Sequence, residues 1–156
     1  MTLSAELLAR LLAAAVRFSS LPAIEPTDLP PIEQLSAAAL SEKVCPDEPS
    51  RCSTMAALFD TEGYRIYLRD TLNPADPMDN SFIVHELVHV LQYRKHGADY
   101  FRSCQRRILS EQQAYYVQNN YLGEEGIDWR EGYLVRFMRC PEEEQGHPDE
   151  LRRDLD

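Results

Sequence analysis

The sequence of 156 residues lacks any apolar run of the roughly 18 to 20 residues that a membrane-spanning helix needs. It is also poor in basic residues, with 16 Lys and Arg against 26 Asp and Glu and a net charge of -10. Because nucleic-acid backbones are bound by clustered Lys and Arg, this balance argues against a nucleic-acid partner. No internal repeat is present, and the length fits one domain over residues 1–156. We therefore expect a single domain without a membrane span, and the oligomeric state is left open.

Cysteine is scarce too, and the four that are present form no CxxC pair. A cysteine zinc site and a thioredoxin-like redox motif are therefore not indicated. Among the three pairings that four cysteines allow, we predict Cys45–Cys52 together with Cys104–Cys140. Since disulfides form in oxidising compartments, this pairing predicts a periplasmic or secreted protein. Four reduced thiols in a cytoplasmic protein are the alternative.

The two ends of the chain have their own patterns. Residues 1–20 lack the clean apolar stretch of a signal peptide, because Glu6, Arg10 and Arg17 interrupt it. These charges recur at nearly helical spacing opposite a face of Leu and Ala, which predicts an amphipathic helix over residues 3–18. The acidic residues that begin segment 142–156 predict a polar, solvated C-terminal tail.

Periodicity, caps and turn residues predict an α+β domain between these ends. The predicted elements are a Pro-rich connector (21–31), a short helix capped by Ser36 (36–44), a β-hairpin (54–59 and 64–69) around residues 60–63, and two longer helices (81–96 and 104–122) that end at Gly97 and Gly123. Residue 79, 80 or 81 is expected to cap the first longer helix. Because that helix is apolar almost all round, we expect it to be buried.

This buried helix contains the pattern HExxH from His85 to His89. Positions i and i+4 share one helix face, so both imidazoles can bind one metal ion. Zinc takes imidazole ligands, and catalytic zinc sites combine three protein ligands with a position for water. Glu86 is placed to accept a proton from that water. Two core histidines that find other partners are the alternative to a metal site.

The third ligand has to come from another part of the chain. His96 is one residue too far from His89 for the third histidine of the pattern HExxHxxGxxH. Glu111 is favoured, because it falls on the apolar face of its helix, where a lone carboxylate needs a cation. Alternatively Ser110 begins that helix and Gln113 completes a capping box, which leaves Glu111 exposed. The weaker candidates are Asp99, Glu124, Glu125 and His147.

HELVH followed 22 residues later by Glu111 resembles the gluzincin class of zinc metallopeptidases in a small single-domain form, over residues 54–122. The resemblance implies a zincin-like fold in which His85, His89 and Glu111 bind Zn²⁺. It implies further that Glu86 is the general base of peptide-bond hydrolysis and that the partner is a peptide or protein substrate. An inactive zinc-binding module of the same fold, acting in binding or regulation, is the alternative.

Three further points concern the mechanism of such a peptidase. Strand 64–69 would be the edge strand along which an extended peptide pairs. Tyr115 stands where many gluzincins carry an acidic residue, four positions after the ligand Glu, so the group that orients the metal ligands is not identified. The candidates that could stabilise the developing oxyanion are Tyr115, Tyr116, Tyr121, Tyr133 and His147.

Overall fold

Four α-helices and one three-stranded sheet make up residues 3–141, the part of the chain that the computed structural model describes. The helices are α1 (Ala5–Ser19), α2 (Ala37–Val44), α3 (Pro77–His96) and α4 (Cys104–Glu124), and the strands are β1 (Ile32–Leu35), β2 (Ala57–Asp60) and β3 (Arg65–Arg69). The predicted α+β class is confirmed. The predicted polar tail, residues 142–156, lies outside the described residues.

Serine is the N-cap residue of three of the four helices, α1, α2 and α4. Ser4, Ser36 and Ser103 each accept a hydrogen bond from the backbone N–H three residues further on. Each cap satisfies one of the amide groups that a helix start leaves without a partner. The amphipathic pattern of α1 is confirmed, because its buried residues, Leu11, Leu12, Ala14 and Ala15, lie on one face.

The helix that carries HExxH begins four residues earlier than predicted, at Pro77 instead of Ser81. Its cap is Asp76, whose carboxylate accepts the N–H of Met78, and not one of residues 79–81. Proline suits the first helical position, since an N–H there would have no helical partner. The helix is buried along most of its length, as its apolar sequence predicted.

The sheet has the strand order β1-β3-β2. Strands β2 and β3 form the predicted antiparallel hairpin, with Leu58 opposite Tyr67. Strand β1, which the sequence did not predict, pairs in parallel with the other side of β3, with Ile32 opposite Ile66. The prediction that residues 64–69 form an edge strand is therefore wrong, because β3 has a neighbour on each side. The edge strand that contacts α3 is β2.

Helix α3 forms the centre of the core. It packs against α1 and α4, while β2 contacts it from the sheet. Its residues Leu87, Val88 and Leu91 are almost completely removed from solvent, as are Ile66 of β3 and Val117 of α4. Burial of such side chains stabilises the fold by about 1.5–3 kcal/mol each. This packing fixes the helix from which the candidate ligands project.

Both predicted disulfides are present, Cys45–Cys52 and Cys104–Cys140. The second spans 36 residues and joins the start of α4 to the end of the segment that follows this helix. Disulfides are characteristic of proteins in oxidising compartments. Within residues 3–141, no helix combines the length and the apolar character that crossing a membrane requires.

Candidate metal centre

Helices α3 and α4 bring His85, His89 and Glu111 together. The Nε2 atoms of the two histidines lie 3.1 Å apart. Glu111 Oε2 is 3.2 Å from Nε2 of His85, and its Oε1 is 3.3 Å from Nε2 of His89. The three ligand atoms all lie within 4.8 Å of one another. Among residues 3–141, this is the one group of His, Cys, Asp and Glu side chains arranged so that it can hold a metal ion.

The position of Glu111 inside α4 decides between the two interpretations of this residue. The helix begins at Cys104 after the cap Ser103, so Ser110 lies in its interior and is 1% exposed. The alternative in which Ser110 and Gln113 cap the helix is therefore wrong. Glu111 faces the histidines of α3, as expected for a carboxylate on the inner face of α4.

Two buried glutamines hold the far sides of the imidazole rings. Oε1 of Gln92 lies 2.8 Å from Nδ1 of His89, and Oε1 of Gln118 lies 3.0 Å from Nδ1 of His85. The hydroxyl of Ser110 is also 3.0 Å from Nδ1 of His89. These contacts fix both ring orientations, which metal-binding histidines generally require.

Hydrogen bonds that end at backbone carbonyls determine which atom of each side-chain amide, Gln92 and Gln118, faces its histidine. Nε2 of Gln92 donates to the carbonyl oxygen of Ser110 at 3.1 Å, and a carbonyl can only accept. Nε2 of Gln118 donates at 3.0 Å to the hydroxyl of Ser81, which itself donates to the carbonyl of Met78 at 2.6 Å. In both cases the amide oxygen is left facing the histidine, so each Nδ1 carries the proton.

With both protons on Nδ1, each Nε2 presents a lone pair to the other and to the Glu111 carboxylate. Three acceptors that converge in a buried place require a cation between them. A proton is the minimal one. Although burial lowers it, the pKa of His89 is raised to about 9 by the hydrogen bond and charge of Glu111 and by the charge of Glu86. Two imidazoles and one carboxylate are also a donor set that catalytic zinc sites use, so the residues fit a zinc ion.

The contacts with the two histidines also lower the pKa of Glu111. Burial on its own would raise this pKa. Hydrogen bonding with His85 and His89, and the positive charge that this pair holds when it is protonated, outweigh burial and hold the pKa of Glu111 well below its usual range. Glu111 is therefore ionised at every pH of interest and available as a ligand.

Glu86 joins the site to the edge of the sheet. Its Oε2 accepts the backbone N–H of Phe59 at 2.7 Å, and the side chain is buried. Strand β2 bonds to β3 through alternate residues, for example through the carbonyl of Ala56 to the N–H of Arg69. The backbone groups of Ala57 and Phe59 therefore point away from β3, toward α3. This contact holds the Glu86 carboxylate beside the histidine pair.

A cleft of about 390 Å³ opens over these residues between β2, α3 and α4. Phe82 and Phe101 give it apolar walls, and Arg107 and Glu131 add charges of opposite sign. His85, Glu86, His89 and Glu111 all line it. The four predicted site residues thus share one accessible surface.

Only one of the candidate oxyanion-stabilising residues within the described part lines this cleft. The ring of Tyr115 lies 4.5 Å from that of His85, measured between centroids. Burial and the charges of Glu111, Glu86 and Glu131 raise the pKa of Tyr115 to about 12, so its hydroxyl keeps its proton. Tyr116 and Tyr133 are exposed outside the cleft, Tyr121 faces α1, and His147 lies outside the described residues.

The weaker ligand candidates are engaged elsewhere. Asp99 pairs with Arg102, and Glu124 pairs with Arg17. Glu125 lies beside α1, on the other side of α4. Sequence reasoning missed Gln92 and Gln118, although a glutamine on the apolar face of a helix is a signal of a buried polar contact.

Two antiparallel helices that present a His-His-Glu group beside the edge of a small sheet thus define an α+β domain with a candidate metal centre. Over residues 5–149 the chain matches the family described as "Domain of unknown function (DUF6647)", and it belongs to that family. No curated protein and no solved structure matches the chain significantly.

Proposed function

We propose that this protein is a zinc-dependent peptidase of the gluzincin type, in which His85, His89 and Glu111 hold Zn²⁺ and Glu86 is the general base. The observation that carries the proposal is that Nε2 of His85, Nε2 of His89 and the carboxylate of Glu111 converge on one point, while Nδ1 of each histidine is bound by a glutamine. Without a metal, a proton held by the facing nitrogens is the cation at this point, and the raised pKa of His89 reflects it. The buried amides orient both imidazoles toward that same point, where Zn²⁺ would take the place of the proton.

When bound, Zn²⁺ supplies a Lewis acid that polarises a carbonyl oxygen and lowers the pKa of a coordinated water to about 7. Glu86 accepts a proton from the attacking water and passes it to the leaving nitrogen. The N–H of Phe59 supports this role, because it holds Oε2 and fixes the carboxylate beside the ligands. The phenol of Tyr115 is the donor available to the oxyanion that develops on the carbonyl oxygen.

The substrate pairs along β2, which replaces β3 as the strand for peptide binding. Ala57 directs its backbone N–H and C=O away from β3 and into the cleft, and so does the carbonyl of Phe59. An extended peptide can add to this edge by backbone hydrogen bonds. Such pairing would bring a peptide bond alongside Glu86. The two disulfides favour action in the periplasm or outside the cell.

The test is Glu86→Gln, which retains an acceptor for the N–H of Phe59 but cannot take up a proton. Zinc-loaded wild type should cleave a mixture of end-blocked peptides, and Glu86→Gln should lose at least about 100-fold in kcat/KM, since general base catalysis contributes 10²–10⁴-fold. Its zinc content should not change. Glu124→Gln, on the outer side of α4, is the matched control and should cleave normally.

Two other outcomes would change the assignment. Stoichiometric zinc in a wild type that cleaves no peptide favours the inactive zinc-binding module. No zinc after reconstitution, with correct folding shown by circular dichroism, would overturn the metal site itself.

A further inference from the structure

One end of the cleft carries an arginine that is not used by the proposed chemistry. Arg107 lines the cleft one turn before Glu111 on α4. Arg107 lies at the end of the cleft near His89. Ser110, which follows it by three residues on α4, contacts His89, and Phe101, which also lines the cleft, has its ring 6.1 Å from that of His89. Arg107 is exposed, and among residues 3–141 no carboxylate forms an ion pair with it.

The other end of the cleft carries a carboxylate. Glu131 lines the cleft on the side of His85, near Tyr115, whose pKa its charge helps to raise. Both backbone groups of Glu131 are bound by Asn119 of α4, at 2.8 and 3.1 Å. Trp129 donates to its Oε1 at 2.8 Å. Neither of these neighbours carries a charge, so the negative charge of Glu131 is not neutralised by them.

The fold fixes the two backbone segments from which these charged side chains project. Gly132, with φ 76°, packs directly on the ring of Tyr115, so the segment around Glu131 lies against α4. The Cys104–Cys140 disulfide ties the end of that segment to the first turn of the same helix. The cleft therefore keeps a positive end and a negative end on either side of the candidate metal centre.

From this arrangement we infer that the cleft selects peptides by charge order, taking a carboxylate at Arg107 and an ammonium or guanidinium group at Glu131. The inference rests on the proposed peptidase function and names its substrate class. Arginine binds carboxylates by two parallel hydrogen bonds, which gives direction as well as attraction. In a chain of net charge -10, an arginine that lines a cleft and has no acidic partner among residues 3–141 is suited to an acidic ligand.

The direction of β2 shows which part of a peptide meets each charge. Phe59, near the end of β2, packs 5.7 Å from the ring of Tyr93, which follows His89 on α3. The strand therefore runs toward the end of the cleft that contains Arg107. A peptide antiparallel to β2, the more stable pairing, has its N-terminal part at Arg107. Asp or Glu should then precede the cleaved bond, and Lys or Arg should follow it.

The experiment compares two end-blocked nonapeptides of identical composition. One has Glu before and Lys after the central bond, and the other has the reverse order. A third peptide, with a free C-terminal carboxylate and no acidic side chain, distinguishes a terminal carboxylate from a side-chain one. Two readouts are used: kcat/KM with zinc-loaded wild type, and binding to Glu86→Gln by fluorescence anisotropy, which needs no turnover.

We expect the first peptide to be preferred about tenfold in both readouts, since two partly exposed charge pairs contribute up to about fivefold each. Arg107→Gln should reduce the preference to about threefold or less. The double variant Arg107→Glu with Glu131→Arg should reverse it. Arg102→Gln removes a neighbouring exposed arginine that is paired outside the cleft, and it should leave the preference unchanged.

A different outcome is that wild type prefers the peptide of reverse order or the one with a free C-terminus. If the double variant inverts that preference, the result would support the two charged ends of the cleft, with the peptide parallel to β2. Equal cleavage and equal binding of all peptides by wild type would overturn the inference but leave the peptidase intact. If charge order governs binding to Glu86→Gln while wild type cleaves nothing, the peptidase fails and the binding cleft stands.

Discussion

Oε1 of Gln118 lies 3.0 Å from Nδ1 of His85, so a neutral amide from α4 orients a candidate metal ligand on α3. The resemblance to gluzincins left this role open, because Tyr115 occupies the position of the expected acid. A neutral partner makes His85 a weaker electron donor than a carboxylate would. With Glu111 as the single charged ligand, a bound Zn²⁺ would keep a net charge of about +1. In such a zinc site, the neutral partner would favour acidity of the bound water over tightness of metal binding.

The amide contact gives a direct prediction for metal affinity. Gln118→Leu removes the acceptor and should weaken zinc binding by about 10- to 100-fold, measured by competition with a chromogenic chelator. Gln118→Glu should bind zinc more tightly than wild type. Gln112→Leu makes the same change at an exposed position of the same helix and should have no effect. Equal affinities for the two leucine variants would show that the amide does not support the ligand.

Zinc content tests the third ligand. Glu111→Ala removes one of three ligands, and purified protein should lose most of a near-stoichiometric zinc content in elemental analysis. Glu124→Ala, which removes a carboxylate from the same helix outside the site, should retain it. Zinc in both variants would keep the metal but assign the third ligand elsewhere.

The candidate ligands could be predicted because their geometry is local. The spacing of His85 and His89 places them on one face of any α-helix, whatever surrounds it. Glu111 was recognised by its place on an apolar face, where a carboxylate is costly. Gln92 and Gln118 were missed because their role depends on how α3 and α4 pack, and no local pattern specifies that contact.

The error in the sheet has a similar cause. Strand β1 has only four residues, and two of them, Glu33 and Gln34, are polar neighbours that break any apolar alternation. Its pairing with β3 depends on a chain segment 34 residues away in sequence. Without β1, the hairpin leaves β3 as an apparent edge. Pairing between strands that are distant in sequence is thus the feature of this fold that the local sequence pattern predicts least well.

The charge on His89 predicts a pH dependence for the metal-free protein. The pKa of His89 rises from 6.5 in the unfolded chain to about 9 in the folded protein. Protonated His89 therefore stabilises the folded state fully below pH 6.5, and this contribution is lost as the pH rises through 9. The free energy of unfolding in urea with a chelator should therefore fall by up to about 3 kcal/mol between pH 7 and 10. Glu111→Gln should remove this fall, because it removes the main partner of the proton. A fall of equal size in both proteins would assign it to other groups.

Gly132 tests whether the position of Tyr115 matters. Gly132 and Gly126 have nearly the same φ, 76° and 77°, so alanine at either position costs about 1–2 kcal/mol in backbone strain. A Cβ at Gly126 meets nothing within 4 Å, whereas one at Gly132 would overlap the ring of Tyr115. Gly132→Ala should therefore cost about 1–3 kcal/mol more in the free energy of unfolding than Gly126→Ala.

The same pair of variants separates stability from chemistry. Displacement of the Tyr115 ring should lower kcat/KM on a cleaved peptide in Gly132→Ala and leave Gly126→Ala close to wild type. In a Tyr115→Ala background, Gly132→Ala should cost no more stability than Gly126→Ala does, because the overlapping ring is gone. An extra cost that persists without the ring would mean that Gly132 serves the backbone alone, and that Tyr115 is not held in place by it.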